Sequence, residues 1–158
     1  MFGYLEEEIG LKVHKKPILI ELGGNIFFIG HGDGLGPGDN KYKFIKKFFT
    51  NPLCQWLFSK IHPNLSFSLA RYWSRKSREN EKDGSPSFFG EEKEWLIQFS
   101  KKEYQKNKKI NYFIFGHRHL PIEHKIDKGC KYINLGDWIN HFTYGVYDGK
   151  TTELKTFK

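Results

Sequence analysis

Two short runs hold the side chains most able to do chemistry: Gly30-His31-Gly32-Asp33 and Gly116-His117-Arg118-His119. Neutral imidazoles are good ligands for zinc, manganese or iron. A histidine pair on its own is weak evidence, since most never meet an ion. Position strengthens it here. Each run follows a short and very apolar segment, Asn25 to Ile29 in one case and Asn111 to Phe115 in the other. Segments so rich in aromatic and β-branched residues read as buried strands. The carboxyl ends of such strands are where α/β sheets place their chemistry, and the glycines let the backbone turn sharply there. Alternate residues of an extended segment share a side, so His117 and His119 can reach one site or serve neighbouring ions. Asp33 either orients His31 through a hydrogen bond or simply turns the chain. Arg118 meets phosphate, or is solvated or paired.

The elements that must position these groups can be read from pattern. Leu5 to Ile9 reads as the end of a helix, and Leu11 to His14 and Pro17 to Leu22 as strands. Gly23-Gly24-Asn25 is a hairpin signal joining Ile18–Leu22 to Ile26–Ile29. Residues 32–40 hold four glycines and a proline, a loop that can approach a ligand with its backbone. Phe44, Ile45, Phe48 and Phe49 then recur at helical spacing. Asn51-Pro52 marks a second helix start, with Leu53, Trp56, Leu57 and Ile61 along it. His62-Pro63-Asn64 breaks it, and Leu65, Leu69, Tyr72 and Trp73 mark a third short helix. Glu79 to Ser87 reads as a polar loop. Glu91 to Gln105 reads as a helix whose acidic first turn and basic last turn suit its dipole, with Trp95, Leu96 and Phe99 facing the core. Strands Tyr112–Phe115, Ile122–Ile126 and Lys131–Leu135 follow. Phe142–Tyr147 and Thr151–Phe157 pair across Asp148-Gly149. Asp137 and Trp138 read as structural, with a site role as the alternative. His14, His62, His124 and His141 have no motif around them. There is no internal repeat.

Composition narrows the partners. The chain has 158 residues, room for one domain with a real core. Its formal net charge of +8 favours anionic partners. Residues 41–78 carry nine Lys/Arg and no Asp or Glu. Polybasic, aromatic-rich amphipathic helices suit an anionic membrane surface. Rings such as Phe44, Phe48, Trp56 and Trp73 could also line a pocket for acyl chains. Nucleic acid would use the same features and is not assigned as a partner. Cys54 and Cys130 form no C-x-x-C and read as reduced cysteines of a cytosolic protein. The start of the chain is acidic where a signal peptide is basic, and no apolar run approaches the ~20 residues of a membrane span. The expectation is a soluble, cytosolic protein that can touch a membrane surface.

Gly30-His31-Gly32-Asp33 and Gly116-His117-Arg118-His119 resemble the last two motifs of the calcineurin-like metallophosphoesterases. His31-Gly32-Asp33 followed by Asp39 and Tyr42, with the aromatic, basic segment behind them, resembles the UDP-2,3-diacylglucosamine pyrophosphatases of lipid A synthesis. The likeness runs over nearly the whole chain. It implies an α/β fold: a partial metallophosphoesterase β-sandwich flanked by helices, one incomplete domain over residues 1–158 with a helical cap inserted at 41–90. It also implies two divalent ions, manganese foremost, with His31 and His117 on one and His119 on the other. Asp39 and Tyr42 would contact the nucleotide-sugar lipid. The reaction implied is hydrolysis of the pyrophosphate bond of UDP-2,3-diacylglucosamine to UMP and 2,3-diacylglucosamine 1-phosphate. The family's upstream motifs, D-x-H, G-D and G-N-H-D or G-N-R-D, do not occur in this sequence. The resemblance therefore implies the carboxyl-terminal part of a longer enzyme, weakly active or inactive alone. A metallophosphoesterase with another substrate and a non-catalytic lipid-binding fragment are the rival readings.

Overall fold

The structure, a computed structural model, describes residues 2–35, 40–81, 88 and 90–158. The chain forms two compact units, residues 1–33 with 88–158 and residues 34–87.

The first unit is built on a mixed five-stranded sheet. Helix α1 (Phe2–Glu7) precedes strands β1 (Ile18–Leu22) and β2 (Asn25–Ile29), which pair as an antiparallel hairpin. The second unit contributes α2 (Asn40–Phe49), α3 (Pro52–Ser59) and α4 (Pro63–Glu81). The chain then returns through α5 (Trp95–Lys106) to β3 (Ile110–Phe115), β4 (Pro121–Asp127) and β5 (Cys130–Leu135). Strand order is β1-β2-β3-β5-β4, with β2, β3 and β5 parallel to one another. Strands β6 (Thr143–Tyr147) and β7 (Thr152–Thr156) form a separate hairpin. The fold class is mixed α/β, compatible with a partial metallophosphoesterase fold.

Alternation of side chains across the pleat explains how the sheet is covered. Phe27, Tyr112 and Ile133 point to one face and pack with Tyr147 and Leu154 of the β6–β7 hairpin. The Phe27 ring stacks on Tyr112 at 4.8 Å and meets Tyr147 edge-on at 4.9 Å. Phe28, Phe113 and Phe115 take the other face, where Phe28 and Phe115 meet Phe99 of α5. Leu96 and Ile97 of that helix are fully buried. Two layers thus clamp the central strands and fix where their carboxyl ends emerge.

Three local expectations are corrected. Leu11 to His14 form no strand: they are mostly exposed and lack a ladder partner. Helix α5 starts at Trp95 instead of Glu91, because residues 91–93 form a turn and Glu94 sits at the cap with no side-chain capping bond. The third helix of the second unit is not short. It runs nineteen residues to Glu81, since nothing between Trp73 and Glu81 breaks helical geometry. The start of α3 matches expectation: Asn51 accepts backbone N–H bonds from Leu53 and Cys54, with Pro52 in the first turn.

Candidate metal centre

Parallel pairing of β2 with β3 aligns Ile29 beside Ile114, so both strands deliver their carboxyl ends to one edge. The ladder continues past the strands. Gly30 N–H donates to the Ile114 carbonyl at 3.1 Å, and the His31 carbonyl accepts from both Gly116 N–H (3.1 Å) and His117 N–H (2.9 Å). Those backbone bonds tie the two histidine loops together. His31 Nε2 and His117 Nδ1 face each other at 3.3 Å, and the ring centroids are 5.1 Å apart. Two nitrogens bound to one tetrahedral ion at ~2.0–2.1 Å stand about 3.3 Å apart. The pair therefore fits a shared divalent ion; without one, a single ring proton can sit between the two nitrogens.

Close packing leaves little freedom here. Gly32 has φ +111°, and a Cβ at that position would stand 3.1 Å from Leu96 and 3.2 Å from the Cβ of His117. Only glycine meets both the conformation and the space. The Trp95 ring lies edge-on to His117 at 5.7 Å. Asp33 is half-buried in the turn after Gly32.

His119 is exposed and has φ +52°. Its N–H bonds the Gly116 carbonyl at 3.3 Å, so residues 116–119 form a tight turn and not the extended segment expected from alternation. A left-handed non-glycine residue is uncommon and stores about 1 kcal/mol or more of strain. The turn, not strand periodicity, decides where the His119 ring goes. Among the described residues, no group of three or more His, Cys, Asp or Glu is gathered as a metal-binding set. His31 and His117 bring two ring nitrogens together.

Arg118, between the two loop histidines, is engaged. Its Nε and Nη2 donate to Glu94 Oε2 and Oε1 at 3.0 and 2.8 Å, a two-point ion pair. Glu94 is only 2% exposed and Arg118 23%. The hydrogen bonds to Glu94 raise the guanidinium's already high pKa further. In the sequence Glu94 reads merely as a charge at a helix start, and nothing in its spacing to Arg118 signals the pair. Asp39 lies outside the described residues, and of Tyr42, in α2, only the backbone is described.

Asp137 is a structural residue. Its carboxylate accepts backbone N–H bonds from Ile139 (2.8 Å), Asn140 (2.6 Å) and His141 (3.4 Å), and its Oδ2 is 3.1 Å from His141 Nδ1. These bonds, chiefly the one from Asn140, hold its pKa well below the usual carboxylate range.

The helices of the second unit line an open apolar cavity of about 430 Å³, walled by Phe48, Phe49, Leu57, Phe58, Leu69 and Trp73. Among the described residues, no helix is long and apolar enough to cross a membrane.

Comparison with known proteins gives the chemistry a context. No protein-family model matches the sequence. Curated proteins do. One from Porphyromonas gingivalis is 33% identical over 98% of this chain and 63% of its own length. A Yersinia pseudotuberculosis protein is 30% identical over 77% of this chain and 48% of its own. A Shewanella protein is 27% identical over 82% and 52%. These relatives are UDP-2,3-diacylglucosamine hydrolases. The chain thus spans roughly half to just under two thirds of the UDP-2,3-diacylglucosamine hydrolases it matches.

Proposed function

We propose that this chain is part of a metal-dependent phosphoesterase that hydrolyses the pyrophosphate bond of UDP-2,3-diacylglucosamine, giving UMP and 2,3-diacylglucosamine 1-phosphate. The observation that carries the reading is the convergence of His31 and His117 at the carboxyl edge of β2 and β3, in a chain similar over 98% of its length to a UDP-2,3-diacylglucosamine hydrolase. In this reading His31 and His117 hold one divalent ion, manganese foremost, and His119 a second. Bound ions would polarise the phosphoryl oxygens and provide an activated water. The residues of the chain do the positioning. The backbone bonds to the His31 carbonyl set the distance between the loops. The Trp95 ring packs edge-on to His117, and Leu96 packs at Gly32 between the loops. In this reading the chain alone binds metal through these histidines and is weakly active or inactive in hydrolysis. Asp39 and Tyr42 contact the nucleotide-sugar lipid.

The second unit supports the lipid part of the reading. A cavity of about 430 Å³ with apolar walls suits acyl chains, each buried methylene contributing ~0.8 kcal/mol. In this reading its basic helices rest peripherally against the anionic cytoplasmic membrane face.

Calorimetry with Mn²⁺ tests the metal assignment. Binding by the chain that is lost in both His31→Ala and His117→Ala is expected; unchanged binding in both variants overturns it. Release of UMP tests the substrate. The expected result is Mn²⁺-dependent hydrolysis, restored in the chain when the unmatched part of the Porphyromonas gingivalis relative is supplied, with acylated substrate preferred over deacylated. Equal rates on the two would point to a different phosphate ester.

A further inference from the structure

The turn before α5 and the first residues of that helix touch the two histidine loops at three consecutive positions. Glu94 grips Arg118 with both carboxylate oxygens, at 3.0 and 2.8 Å. Trp95 sets its ring against His117 at 5.7 Å. Leu96 closes on Gly32, where a Cβ would stand 3.1 Å away. Each contact meets a different part of the two loops: the residue after His117, His117 itself, and the residue after His31. All belong to the first compact unit.

Glu94 is the unusual member. A carboxylate that is 2% exposed, next to fully buried Leu96 and Ile97, is costly unless it is paired and hydrogen-bonded. It is not spent on capping, since α5 has no side-chain bond at its N-cap. Its two oxygens go instead to the guanidinium at the middle of the His117–His119 turn. That turn includes a residue in left-handed backbone geometry, His119 at φ +52°, which persists only where surroundings over-determine it. The fork geometry of a two-point arginine pair fixes orientation as well as distance.

We propose that Glu94 is a positioning residue for the histidine centre. Acting through Arg118, it locks the 116–119 turn so that His117 Nδ1 faces His31 Nε2. Arg118 is thereby an anchor and not a free phosphate-binding cation. The inference rests on the metal-centre reading for its functional meaning, but the positioning itself can be measured without an ion.

The test is long-range ¹H–¹⁵N NMR of the histidine side chains in the metal-free full chain, alongside Mn²⁺ calorimetry. In Glu94→Gln the ring nitrogen resonances of His31 and His117 are expected to move, while those of His62 in the second unit stay in place. Mn²⁺ affinity is expected to fall on the order of tenfold or more, the usual consequence of losing a group that orients a ligand. Arg118→Lys keeps the charge and loses the fork, so it is expected to give a smaller change of the same kind. It also serves as the working variant should Glu94→Gln not fold. Unmoved His31 and His117 resonances in a folded variant overturn the proposal, as does unchanged Mn²⁺ affinity when the parent chain binds. If the parent binds no Mn²⁺, the metal reading fails. The positioning role then stands or falls on the nitrogen resonances alone.

Discussion

The two units of this chain use the same kinds of residue in opposite ways. In the first, Phe27, Phe113, Phe115 and Tyr132 are almost wholly buried between sheet, hairpin and α5. In the second, Phe44 is 74% and Phe67 67% exposed, α3 buries no residue completely, and the apolar side chains line an open cavity. Aromatic richness is common to both, so it says nothing about burial. What differs is the number of layers. A strand pair clamped on both faces has nowhere to put a ring except inside, and its ends become fixed points for chemistry. Amphipathic helices with one cavity among them keep rings within reach of a ligand.

That contrast can be broken by substitution. Phe113→Ala in the first unit is expected to destabilise the chain by about 3–5 kcal/mol, whereas Phe67→Ser in the second should stay within about 0.5 kcal/mol. Urea titration followed by tyrosine and tryptophan fluorescence measures both. Equal losses would mean that the rings of the second unit form a core after all.

A smaller effect sharpens the other half of the comparison. If the exposed rings and cations of the second unit meet an anionic membrane, Lys47→Gln with Arg71→Gln should weaken binding to phosphatidylserine vesicles by about 2 kcal/mol, roughly 30-fold. Binding of the parent should fall steeply as salt is raised to about 1 M. Salt-insensitive binding, or none, would make the basic helices an ordinary solvated face.

The smallest effect belongs to the first unit and is read by pH. Backbone N–H bonds depress the Asp137 carboxyl in the folded chain. Its contribution to stability is therefore full above the ordinary carboxylate value near 4 and is lost as pH falls through the folded value. Thermal melts of Asp137→Asn should show a lower midpoint than the parent at pH 7, with a gap that narrows as pH falls from about 4 to about 2. A constant gap over that range would remove the carboxylate as the cause.

Much of the first unit was legible locally. Apolar runs at Asn25 to Ile29 and Asn111 to Phe115 became β2 and β3, because continuous apolar stretches between turn signals suit strands covered on both faces. Gly23-Gly24 turned the hairpin, with both φ values positive. Other readings failed where local pattern was overruled. Glu91 to Glu94 have the composition of a helix start, but Glu94 faces a partner on a distant turn and the helix begins after it. His117 and His119 alternate as on a strand, but Gly116 folds the segment back on itself.

Local pattern alone identifies the candidate imidazoles and the kind of element on which they ride, since glycines, apolar runs and turn signals exert their preferences over a few neighbours. The sequence by itself also determined the charge imbalance of 41–78, which no fold can alter. Only the tertiary structure decided that His31 and His117, 86 positions apart, stand 3.3 Å from each other, and that Glu94 holds Arg118 from 24 positions away. Both depend on parallel strand register and on the return of α5 over the sheet. Those are closures of long loops, whose outcome is set by the packing of whole layers and leaves no mark in the spacing of the residues concerned.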